Sequence, residues 1–132
     1  MKNNPVFQTE MGKIALAIYE WCKSHDLWGD NTIYFDGHAI TNSRYWDGSP
    51  DEILSEDEGA RLYYYEDRNP RDYFEYVNPE TLSMSFEGDL YSVLNAYIPG
   101  WTKLEDEFRK LIESFGYYYE MGHAWNLTLY KM

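Results

Sequence analysis

Carboxylates and phenols that could recognise a charged partner are concentrated in the segment 51–75. This segment holds nine acidic and three basic residues, a net charge of −6, which is half of the net charge of the chain. Carboxylates can replace the phosphates of a nucleic acid in a basic groove, and tyrosine adds contact area at a small loss of rotamer freedom. The predicted protein-binding residues are Asp51, Glu52, Glu56, Asp57, Glu58, Tyr63, Tyr65, Glu66, Asp67 and Asp72.

The charge of the whole chain limits the partners that we expect. Its 132 residues include 23 acids and 11 bases, which give a formal net charge of −12. The bases are scattered, whereas binding to a phosphate backbone requires clustered Lys and Arg. An electronegative chain attracts basic proteins and repels nucleic acids and anionic lipids. We therefore expect a basic protein as the partner, without direct binding to nucleic acid or membrane.

In size, charge and aromatic content the chain is similar to nucleic-acid-mimic inhibitors, such as antirestriction and anti-CRISPR proteins, and to acidic immunity proteins that block nuclease toxins. The similarity implies a non-enzymatic inhibitor of a basic nuclease or another nucleic-acid-binding enzyme. It includes no sequence motif, so no residue role is transferred by it. The alternative interpretation of the acidic segment is a solvated loop that keeps the protein soluble.

Two histidines are the candidates for catalysis. His38 and His123 each lie beside a predicted hairpin turn, so they could meet as the acid and base of a minor hydrolase. The motifs GxxxxGK[ST], GxGxxG, HExxH and GxSxG are absent from the sequence. We predict no enzymatic activity and no cofactor, and we keep the histidine pair as an alternative.

Metal binding is a weaker possibility. Cys22 and His25 lie one helical turn apart, but a structural zinc site needs four ligands and usually several thiolates. Cys22 is the only cysteine, so no intrachain disulfide can form and a reducing cytoplasm is the expected compartment. The sequence has no stretch of about 18 apolar residues that would predict a membrane span. We predict no metal site.

A small carbohydrate- or ligand-binding module is the other alternative. Trp28, Trp46 and Trp101 lie near predicted loops, where an indole ring can stack on a sugar while acids bind its hydroxyl groups. Tryptophan is usually mostly buried, so these three rings could equally cover the edges of the core.

The elements that position these residues follow from hydrophobic periodicity and turn signals. Helices are predicted over 9–25, near 90–97 and, after a capping box at Thr102–Glu105, up to Gly116. Hairpins are predicted around Asp36-Gly37 and Met121-Gly122, with strands at 61–66 and 82–86 and a weaker strand at 71–77. Residues 45–60 are predicted to be a polar connection. The chain 1–132 should form a single α+β domain, with three helices packed on one face of an antiparallel sheet of five to six strands.

Alternation within the strands predicts which face each side chain occupies. One set should face the helices: Leu62, Leu82, Met84, Phe86, Trp125, Leu127 and Leu129. Tyr34, Tyr63, Tyr65 and Tyr130 should then lie on the opposite face, which we call the second face. We predict that this second face is an exposed docking surface, although tyrosine also has a high propensity for half-exposed strands.

Overall fold

The first long helix begins where a threonine caps it. In the computed structural model, which describes residues 1–132, a 3₁₀ turn at Pro5–Phe7 precedes helix α1 at Glu10–Ser24. The Oγ1 atom of Thr9 accepts a hydrogen bond from the main-chain nitrogen of Gly12 (2.9 Å), which satisfies one of the free donors of the first turn. The predicted first helix is therefore confirmed.

Seven antiparallel strands form one sheet in the order β3-β4-β2-β1-β5-β7-β6. The strands are β1 Asn31–Phe35, β2 His38–Thr41, β3 Glu52–Ser55, β4 Leu62–Tyr65, β5 Ser83–Phe86, β6 Tyr117–Met121 and β7 Asn126–Lys131. Two further helices, α2 at Asp89–Leu94 and α3 at Trp101–Glu113, complete the α+β fold that the sequence predicts. The sheet has seven strands instead of five to six because part of the predicted polar connection pairs with β4 as the edge strand β3.

The turn between β1 and β2 has the geometry that its sequence predicts. Asp36 and Gly37 both have positive φ angles, 53° and 83°, as required for a two-residue turn whose twist matches the flanking strands. The side chain of Asp36 accepts a hydrogen bond from the Thr9 hydroxyl (2.5 Å). The turn is thus joined to the start of α1.

One face of the sheet packs on all three helices and forms the main core. Alternate strand residues such as Ile33, Met84 and Leu127 are fully buried there, together with Ile18 of α1 and Phe108 of α3. Because directly opposed residues of antiparallel strands share a face, the register of the pairs extends this assignment across the sheet. We call this surface the helix face.

Two local predictions are wrong. Residues 71–77 do not form a strand, because Pro70–Asp72 is a 3₁₀ turn and the backbone of Tyr76 is left-handed (φ 62°). Helix α3 begins after Gly100, which is its N-cap residue. Gly100 has a left-handed backbone (φ 82°) and no side chain, so the helix start has no side-chain capping hydrogen bond. Thr102 therefore lies inside the helix, and the predicted capping box does not form.

The last hairpin also differs from its prediction. The loop between β6 and β7 spans four residues, 122–125, instead of two. The Asn126 side chain accepts a hydrogen bond from the main-chain nitrogen of His123 (3.0 Å), and Gly122 donates to the Asn126 carbonyl (3.1 Å). These bonds close the wider turn and place Trp125 in the loop. Its ring packs with the aromatic residues of the second face instead of facing the helices.

Candidate functional site

The second face carries the tyrosines that strand alternation assigned to it. The register opposes Tyr63 to Thr41 and Thr41 to Thr32, and it opposes Tyr65 to Ala39 and Ala39 to Tyr34. Further along the sheet the same face holds a short list of polar residues: Ser83, Ser85, Asn126, Thr128 and Tyr130. The predicted placement of the four tyrosines is confirmed.

The predicted exposure of three of these rings is wrong. Tyr34, Tyr63 and Tyr65 are only 2%, 3% and 0% exposed. The loop 43–48 contributes Trp46 to the layer over Tyr34, and the loop 66–79 contributes Phe74. The buried Tyr65 hydroxyl is satisfied by the carbonyl oxygen of Arg44 (2.5 Å), and a satisfied hydroxyl allows a phenol to be buried at low cost. Tyr63 and Tyr65 therefore offer little area to a partner.

Aromatic rings form a continuous series across the second face. Edge-to-face contacts join Tyr65 to Trp46 (5.3 Å between ring centroids), Trp46 to Tyr34 (5.8 Å) and Tyr34 to Phe74 (5.6 Å). Phe74 contacts Trp125 at 5.6 Å, and the series continues through His123 to Tyr76. This layer is a second, smaller core that the alternation pattern does not predict.

A groove of about 470 Å³ remains open on this face, and we call it the aromatic groove. Its lining consists of Asp30, Thr32, Tyr34, Thr41, Asn42, Ser43, Tyr45, Trp46, Tyr73, Phe74, Ser85, Glu87 and Trp125. Six of these thirteen residues are aromatic, two are acidic and none is basic. The groove thus combines π faces with negative charge.

Hydroxyl groups form the floor of the aromatic groove. The Thr32 hydroxyl donates a hydrogen bond to Oγ1 of Thr41 (3.0 Å), which in turn donates to the carbonyl oxygen of Asn31 (3.0 Å). Burial raises the pKa of Tyr34 well above its ordinary value, although a hydrogen bond with Ser85 opposes the shift. The Tyr34 phenol is therefore neutral at physiological pH and adds no charge to the groove.

Two carboxylates stand at the rim of the aromatic groove. Asp30 directly precedes β1 and Glu87 directly follows β5, and both residues are exposed. The main-chain nitrogen of Glu87 donates to the carbonyl oxygen of Asp30 (3.0 Å), so the two residues are neighbours across the pair of strands. The sequence interpretation did not combine them. The sequence does place one acid just before β1 and the other just after β5. These positions predict that the two acids are neighbours only when the antiparallel pairing of β1 with β5 is known.

The predicted acidic contact residues are all exposed, and seven of them lie in or directly beside the outer hairpin of β3 and β4, whereas Asp72 lies in the following 3₁₀ turn. We call this surface the acidic edge: Asp51, Glu52, Glu56, Asp57, Glu58, Glu66, Asp67 and Asp72. Only Glu56 among these eight is in an ion pair, with Arg44 (3.2 Å). The side chain of Asp51 accepts a hydrogen bond from the main-chain nitrogen of Glu66 (2.8 Å). Most of the charge at the acidic edge is therefore uncompensated.

A second recess connects the acidic edge to the aromatic groove. It shares Asp30, Asn42 and Ser43 with the groove, and it reaches Glu56 of the acidic edge. The hydroxyl of Tyr63 donates to Glu56 at 3.4 Å. The recess also contains Arg44 and Arg61. The acidic edge and the aromatic groove are thus parts of one continuous surface.

The two histidines proposed as a catalytic pair do not meet. His38 lies beside the β1–β2 turn, opposite Phe35 on the helix face. His123 lies in the β6–β7 loop, which the register places at the other end of the sheet, where Thr32 is opposite Ser85 and Ser85 is opposite Asn126. Each histidine instead packs among aromatic rings near its own turn.

Cys22 and His25 do not share a metal site either. Cys22 is fully buried in the main core, where burial raises the pKa of its thiol. His25 is at the exposed end of α1, with its Nε2 atom 3.3 Å from a carboxylate oxygen of Glu107. No group of three or more His, Cys, Asp or Glu side chains is arranged to hold a metal ion.

The three tryptophans proposed as sugar platforms occupy different environments. Trp28 is buried and donates a hydrogen bond to the carbonyl oxygen of Arg61 (2.6 Å). Trp101 is partly exposed at the first turn of α3. Trp46 alone lines the aromatic groove, so it is the only one of the three that lies in a recess of the second face.

Comparison with known proteins returned no relative. The chain matches no protein-family model, and searches of curated proteins and of solved structures gave no significant match. None of its helices combines the length and the apolar composition that crossing a membrane requires.

Proposed function

We propose that this protein is a non-enzymatic binding domain for a basic protein and that it acts as an inhibitor. The proposed partner class is a cytoplasmic nuclease or another nucleic-acid-binding enzyme. The observation that carries the proposal is the acidic edge, where eight carboxylates are exposed, seven of them in or beside one hairpin, and only Glu56 is in an ion pair. Such a surface can occupy a groove that normally binds a phosphate backbone.

Electrostatics would determine how this surface finds its partner. Opposite fields accelerate the encounter of two proteins and favour the correct partner, more than they increase the final affinity. Exposed charges are screened by salt over about 10 Å at an ionic strength of 0.1 M. Binding at the acidic edge should therefore be fast at low salt and should slow strongly as salt is added.

The apolar part of the contact would use other residues than those that the sequence suggests. Tyr63 and Tyr65 are buried, whereas Tyr45 is 69% exposed and Ile53 is 44% exposed. Ile53 is opposite Tyr63 on the edge strand, and Tyr45 lines the aromatic groove. We propose these two side chains as the apolar contacts beside the acidic edge.

Charge reversal tests the proposal once a partner has been captured from the native host by pull-down at low and high salt. Asp57→Lys with Glu58→Lys reverses two exposed acids of the acidic edge without breaking an ion pair. We expect the association rate to fall about tenfold or more and its salt dependence to weaken. The matched control is Glu80→Lys with Glu120→Lys, two exposed acids outside the acidic edge. Equal slowing in both variants would mean that only net charge matters, and the proposed site would be wrong.

A second candidate function, a carbohydrate- or ligand-binding module, is favoured by the aromatic groove. Trp46 lies there as an aromatic platform, and the two rim carboxylates can accept hydrogen bonds from sugar hydroxyl groups. A glycan array is the test, with specific binding that is lost in Trp46→Ala. No observation favours a hydrolase that uses His38 and His123, since the two side chains are far apart along the sheet.

A further inference from the structure

The aromatic groove has the composition of a cation site. Its lining combines six aromatic residues with Asp30 and Glu87 and contains no Lys, Arg or His. Aromatic faces attract a cation through the ring quadrupole, and the attraction is largest when the cation is partly removed from water. An anionic ligand would be repelled by the rim carboxylates and by the net charge of −12. Charge complementarity therefore selects a positively charged occupant.

The hydroxyl groups of the floor favour a ligand that only donates hydrogen bonds. The Thr32 and Thr41 hydroxyls both use their protons within the protein, toward Thr41 Oγ1 and the Asn31 carbonyl respectively. Thr41 Oγ1 already accepts from Thr32, so the remaining capacity is one lone pair on Thr41 Oγ1 and two on Thr32 Oγ1, and lone pairs accept hydrogen bonds. A guanidinium group has five N–H donors and no acceptor, whereas a sugar hydroxyl needs partners of both kinds.

The protein's own arginines show that rings of this region accept a guanidinium. The guanidinium carbon of Arg44 lies 5.6 Å from the ring centroid of Tyr45, a residue of the groove. On the same face, the guanidinium carbon of Arg68 lies 5.3 Å from the ring centroid of Tyr65. A planar guanidinium is less strongly hydrated than an ammonium group and stacks on aromatic faces, which favours arginine over lysine.

We infer that the aromatic groove binds an arginine side chain presented by the basic partner. The inference rests on the proposed function, since the groove is continuous with the acidic edge through Asp30, Asn42 and Ser43. The guanidinium stacks on Trp46 and on the face of the Tyr45 ring that Arg44 does not cover, and its N–H groups donate to the floor hydroxyls and the rim carboxylates. The acidic edge attracts the partner, and the groove selects an arginine at one position of its surface.

The test uses the intact protein and the probe acetyl-Gly-Arg-Gly-amide, followed by NMR. We expect saturable binding that shifts the indole N–H signal of Trp46 more than that of the buried Trp28. A peptide with citrulline in place of arginine has nearly the same shape but no charge, and it should not bind. Equal binding of the citrulline peptide, or shifts that leave the Trp46 signal unchanged, would overturn the inference.

Variants of the two rim carboxylates distinguish binding at the aromatic groove from binding at the acidic edge. Asp30→Asn with Glu87→Gln should weaken arginine-peptide binding roughly three- to tenfold, the size expected for two exposed charge contacts. Asparagine tolerates the positive φ of residue 30 (55°). The matched control, Asp57→Asn with Glu58→Gln, removes the same charge from the acidic edge and should leave peptide affinity unchanged. Equal weakening in the two variants would contradict a specific site.

A ring variant tests the stacking without risk to the fold. Tyr45→Leu keeps an apolar side chain at a position that is 69% exposed but removes the π face, so peptide affinity should fall several-fold. Unchanged affinity, or tighter binding of a neutral oligosaccharide at the same residues, would overturn the arginine assignment. The acidic-edge proposal would survive that result, because its own test is the association rate of the captured partner with the Asp57 and Glu58 reversals.

Discussion

The hydroxyl group of Tyr65 donates a hydrogen bond to the main-chain carbonyl oxygen of Arg44 over 2.5 Å, from a ring with no exposed surface. The same hydroxyl lies 3.0 Å from the carbonyl oxygen of Gly48. One phenol therefore holds both ends of the loop that carries Tyr45 and Trp46 to the aromatic groove. This tyrosine positions the candidate site from beneath instead of contacting a partner.

Removal of that hydroxyl should destabilise the protein. Tyr65→Phe keeps the ring but removes the hydroxyl donor of the Arg44 carbonyl oxygen, and an unsatisfied buried polar group costs about 1–3 kcal/mol. We expect the free energy of unfolding, measured by urea titration, to fall by about this amount. The exposed Tyr45 makes no hydrogen bond through its hydroxyl, so Tyr45→Phe is the matched control and should change the stability by less than about 0.5 kcal/mol. An equal loss in both variants would show that the Tyr65 bond is not important for stability.

Alternation predicted the face of each strand tyrosine but could not predict what covers that face. The alternation of side chains along a strand depends only on neighbouring residues. It therefore correctly placed Tyr63 and Tyr65 on the face of the sheet that does not carry Leu62 and Tyr64. The cover is made by Trp46 of the loop 43–48 and Phe74 of the loop 66–79, whose contacts with Tyr34 join separate parts of the sequence. No local pattern encodes such a contact, because an Asn-Pro break followed by mixed aromatic and charged residues fits a loop or a strand equally well.

The stability of the protein at alkaline pH should depend on Tyr73, whose phenol joins the loop 66–79 to Asp47. Burial, together with a hydrogen bond to the Asp47 carboxylate, raises the pKa of Tyr73 to about 12. Above pH 10 the unfolded chain loses this proton while the folded protein retains it, so the free energy of unfolding should fall between pH 10 and 12. One such group contributes a slope of up to about 1.4 kcal/mol per pH unit.

Urea titrations between pH 8 and 12 measure this slope, with tyrosine ionisation followed by ultraviolet absorbance. Tyr73→Phe removes the titrating group, so its stability should depend less steeply on pH in this range than that of the unmodified protein. Identical slopes for Tyr73→Phe and the unmodified protein would contradict the assignment.

The stability of the protein at acidic pH should depend on the protonation of His38. Burial lowers the pKa of this ring, although Asp36 opposes the shift. Its Nδ1 atom lies 3.2 Å from the Tyr64 hydroxyl, and its buried Nε2 atom has no partner. Below pH 6.5 the unfolded chain takes up a proton more readily than the folded protein, so stability should decrease as the pH falls through this range.

NMR titration of the His38 ring protons tests the direction of the shift, and urea titrations at pH 5–7 test its effect on stability. His38→Phe keeps an aromatic ring at this position and removes the titrating group, so its stability should change less between pH 7 and pH 5. A pKa of His38 at or above that of an unstructured peptide would contradict this explanation.

The candidate site was only partly predictable for a related reason. The acids of the segment 51–75 could be chosen by composition, and their exposure follows from the cost of burying charge. The aromatic groove combines Asp30, Tyr45, Glu87 and Trp125, which come from four separate parts of the chain. Their proximity depends on the order of strands in the sheet, and the sequence pattern does not specify that β5 lies between β1 and β7.

Gly12 provides a final test of the packing at the start of α1. In a helix interior, Gly→Ala normally stabilises a protein by about 1 kcal/mol, because alanine has the higher helix propensity. A Cβ atom at Gly12, however, would lie 2.1 Å from the carbonyl oxygen of Val6 and 2.9 Å from the Cα atom of Phe7. Both are main-chain atoms of the 3₁₀ turn, so the turn itself would have to move. Gly12→Ala should therefore destabilise the protein, by about 1–3 kcal/mol as for other overpacked sites.

Ala17→Gly, at a half-buried position in the middle of α1, measures the propensity difference without this clash and should cost about 1 kcal/mol. A Gly12→Ala variant that is more stable than the unmodified protein in urea titration would show that the 3₁₀ turn does not pack against α1 as observed.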